Sequence, residues 1–271
     1  MFSRFRPCLS VTLFAVGLSL AVSINAGQAP AYRAPRASDG KPDLNGIWQA
    51  LNSAHWDIEA HNAAPGPVQE LGASAAIPGG LGVVVDGAIP YKPEALAKKK
   101  ENAARRLALD PEIKCYLPGV PRATYMPYPF QIIQSQQHIM IVHEFAGAVR
   151  TIYMDKQTEP PADSWMGWSN GRWDGESLVV DTRGFNDQTW FDRAGNFHSD
   201  ALHVIERFTA RSPDTLTYDV TIEDPNVFTR PWKMSMPLYR RVEKDARLME
   251  FRCVEFVEDL LYGHLRKQPG K

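Results

Sequence analysis

Apolar and polar positions alternate with a two-residue period over much of the C-terminal half. Leu216, Tyr218, Val220 and Ile222 alternate with Thr217, Asp219, Thr221 and Glu223, and Trp232, Met234, Met236 and Leu238 repeat the pattern. Met249, Phe251 and Cys253 do the same against Leu248, Glu250 and Arg252. A period of two puts one apolar row on one face of a strand. The clusters Asp174-Gly175-Glu176, Ser212-Pro213-Asp214 and Glu243-Lys244-Asp245 supply turns between such segments. From Phe130 onward this spacing predicts an antiparallel meander of about eight strands. The fold class is mainly β: a lipocalin-like up-and-down barrel that closes its own edges, with a β-sandwich as the second arrangement. No βαβ alternation and no phosphate-cradling glycine loop is present.

The N-terminal third carries a different pattern. Arg4 and Arg6, an apolar run from Cys8 to Val22 and a small residue at Ala26 predict a signal peptide over 1–26. Residues 27–92 read as an irregular Ala/Pro/Gly-rich arm, an extended wrap interrupted by one apolar strand start at Asp43–Trp48. The third part, 93–271, holds a helix and the strand-rich domain. Pro93 suits a first helical turn, and Glu94 to Leu109 contains no breaker before Pro111. Lys98, Lys99, Lys100, Arg105 and Arg106 give this helix a basic side that reads as a solvated face. A short closing helix is expected within Phe256–Leu265.

Charge narrows the function. The 271 residues carry 30 Lys and Arg against 31 Asp and Glu, and losing Arg4 and Arg6 with the leader leaves 28 against 31. A nucleic-acid partner calls for a basic excess, so none is expected. The apolar run of the leader is too short to span a bilayer, so no stable membrane insertion is expected either, and the location is periplasmic or secreted. Of three cysteines, Cys115 and Cys253 survive leader removal, and an oxidising compartment favours a disulfide between them.

Titratable residues crowd into Thr189–Phe208. Leu202, Val204, Glu206 and Phe208 share one strand face, so Glu206 points into the barrel, while His203, Ile205 and Arg207 face the other way. A carboxyl placed there is either a general acid or base or an ion-paired core residue. Asp192, His198, Asp200, His203 and Glu206 are the candidate proton-transfer groups, and Arg207 is a candidate anion holder. Tyr125, Tyr128, Trp168 and Trp190 offer aromatic surface to a ligand. Two prolines stiffen Tyr125–Phe130, which pre-sets its rings around a cavity mouth. His198, Asp200 and His203 match no recognised metal spacing, so no metal and no cofactor is assigned. The expected function is cofactor-free acid–base chemistry of the lyase, isomerase or hydrolase type, on an apolar or aromatic small molecule held in the barrel cavity. The alternative is a carrier using the same cavity without turnover.

Five blocks carry a resemblance. Cys115–Arg122, Pro127–Ile132, Met166–Trp173, Leu178–Asp187 and His198–His203 resemble a family of secreted bacterial proteins over roughly Cys115 to Glu255. The resemblance implies export and a single strand-rich domain. No reaction is established for that family, so no catalytic residue carries over.

Overall fold

In the computed structural model, residues 32–265 are described, apart from positions 67 and 86. The expected leader at 1–26 lies outside them. Nine strands close into a barrel in sequence order: β1 (Gly46–Gln49), β2 (Phe130–Gln134), β3 (His138–His143), β4 (Val149–Tyr153), β5 (Trp168–Asp174), β6 (Ser177–Arg183), β7 (His203–Ser212), β8 (Thr215–Glu223) and β9 (Trp232–Arg240). Closure decides against the sandwich. The strand start at Asp43–Trp48 becomes β1, which pairs with β2 on one side and with β9 on the other. It is the staple that removes the last open edge.

Two expectations need correction. The meander is antiparallel except at β4 and β5, which run parallel through Ile152–Ser169 and Tyr153–Asn170. The connection 154–167 is long enough to return the chain to the end it left, as a parallel pair requires. The alternating stretch Leu248–Cys253 is not a strand. With β1 already bonded to β9 at Trp48–Arg240 and Gln49–Tyr239, the sheet has no free edge to receive it.

Burial follows the period of two. β8 and β9 alternate strictly, with Leu216, Tyr218, Val220, Ile222, Trp232, Met234, Met236 and Leu238 all buried. Cross-strand register stacks these residues into layers. Val180 faces Glu206, Glu206 faces Val220, and Val220 faces Met234. Leu178, Phe208, Tyr218 and Met236 form the adjoining layer in the same way. Side chains therefore fill the interior as a packed core.

Among the described residues the α-helices are few: α1 (Pro93–Ala104), α2 (Arg106–Leu109), α3 (Arg122–Tyr125) and α4 (Val257–Tyr262). The predicted helix over Glu94–Leu109 is thus α1 and α2, interrupted at Arg105. Its basic side is not simply solvated. Lys98 lies 4.5 Å over the Phe197 ring, Lys99 is 3.5 Å from Glu59, and Arg106 reaches Glu258 at 3.1 Å. Among the described residues no helix is long and apolar enough to cross a membrane. The disulfide joins Cys115 to Cys253 with a Cα–Cα distance of 5.7 Å. It ties the turn after α2 to the segment that follows β9.

Candidate functional site

The loop from Thr189 to Asp200 is organised by Asp192. Its carboxylate is completely buried and accepts four N–H groups: Ile58 N at 2.9 Å, Ala194 N at 2.9 Å, Asn196 N at 3.2 Å and Asn196 Nδ2 at 2.6 Å. Burial first, then the nearby Asp57 charge, push its carboxyl up to about 7. Tyr91 donates to Asn196 Oδ1 at 2.9 Å, so the loop is bound both to itself and to the wrapping segment. Gly195, at φ +84°, lets the loop backbone lie directly on α1, where a Cβ would collide with Ala103 N and Lys99 O.

His198 is buried beside it. Its Nδ1 faces the Ser199 carbonyl at 2.8 Å, and a carbonyl only accepts, so Nδ1 carries the proton. Nε2 then accepts from the Thr189 hydroxyl at 2.6 Å. Burial lowers the pKa of this imidazole and favours the neutral ring. Asp200, two residues on, is exposed. Asp224 instead takes the neighbouring Ser199, through its N at 2.6 Å and its Oγ at 2.9 Å.

Glu206 and His203 stand on opposite sides of the barrel wall. Glu206, with no exposed surface, reaches across the interior from β7 to Arg150 on β4. Arg150 Nη1 donates to Glu206 Oε1 at 3.0 Å, and its Nη2 contacts the other carboxylate oxygen. Tyr218 donates to Glu206 Oε1 at 2.7 Å, while Arg150 also donates to Ser169 Oγ at 2.8 Å and to Thr182 Oγ1 at 2.7 Å. Every polar edge of this pair is met within the core.

His203 lies on the outer face between two carboxylates, with Nε2 2.9 Å from Asp181 Oδ2 and Nδ1 2.9 Å from Glu223 Oε2. Burial disfavours the imidazolium, but the hydrogen bonds to Asp181 and Glu223 outweigh it and raise the pKa. Arg183 Nη2 stands 3.0 Å from the same Nδ1. Protonation selects the partner: the imidazolium donates to Glu223, and the neutral ring accepts from Arg183. This raised group stabilises the fold fully below the unfolded pKa of about 6.5, and the contribution disappears as pH rises through the folded value. The stability gap between the wild type and His203→Gln should be widest below about pH 6 and should shrink above the folded pKa. Chemical denaturation across pH checks this, and a gap independent of pH would contradict the assignment.

The aromatic candidates also separate. Tyr125 is buried and donates to the Phe191 carbonyl at 2.8 Å. Trp190 is core and bridges Phe197. Trp168 stacks on Tyr153 at 4.4 Å and donates to Thr158 Oγ1 at 2.9 Å. Arg207 is a half-exposed partner of Asp174 at 2.6 Å, outside the wall that encloses Glu206. The five proton-transfer candidates therefore do not converge. Two lie in the cap loop, one on its exposed turn, one in the barrel interior and one on the outer wall.

Tyr128 does reach a cleft. Its ring meets Phe251 edge-on at 5.0 Å and Phe145 at 5.7 Å, and Phe145 and Phe251 are 4.9 Å apart. Together with Arg193 and Glu112 these rings border a cleft of about 260 Å³, whose far wall is the segment from Phe251 to Glu258. Behind it runs a buried ion network. Glu112 holds Arg193 through both carboxylate oxygens, with Nε at 2.8 Å from Oε2, and accepts Arg122 Nη2 at 2.6 Å. Arg122, itself buried, also grips Asp110 at 3.0 Å. Burial works against the Glu112 charge, but Arg193 and Arg122 hold its carboxyl at about 2. Arg193 further covers the Trp56 ring at 4.3 Å.

Sequence reasoning missed Glu112, Arg122, Phe145, Arg193 and Phe251 as members of one site. Glu112 and Arg193 are 81 positions apart, beyond the reach of any local motif. The available signal was Arg193 within the titratable segment, whose acids and histidines drew the attention instead. No protein-family model matches the chain, and no curated protein is similar to it.

Proposed function

We propose that the chain is an exported binding protein for a small molecule with an apolar or aromatic body, held in the cleft between Tyr128, Phe145 and Phe251 and the Glu112–Arg193 pair. The observation that carries this reading is the cleft itself: three aromatic rings beside a pre-built ion network. Such a pairing of flat apolar surface with a few fixed polar groups is the usual make-up of a ligand site. A volume of about 260 Å³ suits a molecule of one or two fused rings. The barrel interior is a poorer host, because side chains occupy it and Arg150 and Glu206 already satisfy each other. Export is supported by the Arg4/Arg6 start, the apolar run to Val22 and the disulfide.

The test uses 8-anilinonaphthalene-1-sulfonate as an aromatic probe. Phe251→Ala and Tyr128→Ala should each weaken binding about tenfold or more, the effect of losing one buried aromatic anchor. Leu260→Ser, on an exposed apolar residue, should leave it unchanged. Binding that survives both aromatic variants but falls with Leu260→Ser would mean surface adsorption and would overturn the reading.

Cofactor-free acid–base catalysis is the second reading, favoured by one observation. Glu223, which holds His203, also lines a separate cleft of about 510 Å³ with Lys92, Asp224, Phe228 and Arg230. That reading stands only on a substrate whose kcat/KM follows the His203 titration and is lost in His203→Gln.

A further inference from the structure

We propose that the Cys115–Cys253 disulfide is a redox-sensitive clasp on the aromatic cleft, and that a thiol which opens it releases one wall of that cleft. The functional meaning rests on the cleft being the ligand site, while the clasp itself does not.

Barrel closure sets up the device. Because β1 occupies the free edge of β9, the chain beyond Arg240 finds no strand to join and runs on in irregular form as far as α4. This segment nevertheless supplies Phe251, Cys253, Val254, Val257 and Glu258 to the cleft. Arg241 anchors its start, through N to the Ile47 carbonyl at 2.8 Å and Nη1 to Gln49 Oε1 at 3.2 Å, and further along its ties among the described residues include Met249 N to Glu144 Oε2 at 2.7 Å, Phe256 N to the Ile113 carbonyl at 2.9 Å and Glu258 to Arg106 at 3.1 Å. Little apolar burial backs them up, since Met249, Val254 and Leu260 are all more than half exposed. Phe251 is the one ring it places against Tyr128 and Phe145. A segment held by scattered hydrogen bonds, one ion pair and the two ring contacts of Phe251 belongs to the low-stability end of a fold. The covalent bond to Cys115 is what fixes it.

The bond lies in a part of the chain that solvent reaches. Cys253 is exposed and Cys115 half-buried. A thiolate of a small dithiol, or of a dithiol oxidoreductase, attacks Cys253 Sγ. The bond between the two protein sulfurs breaks, and its electron pair leaves on Cys115, which takes up a proton. The second thiolate of the reductant then attacks the mixed disulfide and releases Cys253, so the reductant ends as a disulfide and the protein as two thiols. The ladders from β1 to β9 contain neither cysteine, so the barrel has no register to lose.

Hydrogen exchange read by mass spectrometry, on the full mature chain with and without dithiothreitol, tests the clasp. The hydrogen-bonded amides of 248–258, Met249 and Phe256, should exchange at least tenfold faster after reduction, while those of β7, β8 and β9 keep their rates. The double variant Cys115→Ser/Cys253→Ser should behave as the reduced protein without any reductant. Unchanged exchange in 248–258, in either the reduced protein or the variant, overturns the proposal. So does an increase spread equally over the strands, which would make the bond a support of the whole fold. In the same samples the affinity for 8-anilinonaphthalene-1-sulfonate should fall at least tenfold. If exchange rises in 248–258 while this affinity holds, the clasp is right and the cleft is not where the probe binds.

Discussion

Glu206→Gln is expected to destabilise the protein by about 3–5 kcal/mol, because it strands the buried Arg150 guanidinium without a counter-charge. The pair has no exposed surface on the glutamate and 1% on the arginine, so water cannot take over the lost interaction. For a chain of this size the loss corresponds to a fall in Tm on the order of 10 °C. The Tyr218 hydroxyl keeps an acceptor in the Gln carbonyl, so the cost falls chiefly on Arg150. The double replacement Arg150→Met/Glu206→Leu removes both charges and should recover most of the loss, since an apolar pair of similar volume avoids the desolvation of two ions. Thermal unfolding of Arg150→Met, Glu206→Leu and the double variant completes the cycle. A Glu206→Gln protein as stable as the wild type would contradict the role of this pair in holding the core.

The second large effect is at Asp192. Asp192→Ala leaves Ile58 N, Ala194 N, Asn196 N and Asn196 Nδ2 without their acceptor, and buried donors left unmet cost about 1–3 kcal/mol each when water cannot reach them. A total loss of about 4 kcal/mol is expected, with the wrap at Ile58 loosening first. The same residue sets a pH dependence. Its folded pKa of about 7 stands above the ordinary carboxylate value of 3.8. The unfolded chain therefore releases this proton earlier, and stability present in full below about pH 4 declines as pH rises toward 7. Integrated over that window the decline is at most on the order of 4 kcal/mol. Asp192→Asn cannot ionise, so urea unfolding of this variant should lack that slope between pH 4 and 7. A slope identical to that of the wild type would assign the titration to another group.

Legibility in the sequence depended on how local the physics is. β8 and β9 could be read residue by residue, since a barrel wall with a packed inside enforces strict alternation at Leu216–Ile222 and Trp232–Leu238. The same period placed Glu206 indoors correctly and left open whether it was an acid catalyst or an ion-paired core residue. Its partner Arg150 lies 56 positions away, so no local pattern could supply it. The stretch Leu248–Cys253 alternates too, but pairing also needs a free sheet edge, and β1 had taken it. The direction of β5 relative to β4 was equally invisible, because alternation is the same in parallel and antiparallel strands. Crowding in sequence proved a weak guide to a site. Successive residues of β7 point to opposite sides of the wall, so His203 and Glu206 are neighbours in sequence and strangers in space. Tyr128 lies between two prolines in the sequence, and Phe145, Phe251, Glu112 and Arg193 converge on it only through the closed fold.

The claim that a ligand is taken beside Tyr128 rather than inside the barrel is open to one direct measurement. Backbone and side-chain NMR shifts of the oxidised protein would be followed during titration with 8-anilinonaphthalene-1-sulfonate. Saturable shifts should cluster at Glu112, Tyr128, Phe145, Arg193 and Phe251–Glu258, while the interior residues Leu178, Phe208, Tyr218 and Leu238 stay in place. Shifts centred on those interior residues would put the ligand in the barrel and contradict the account.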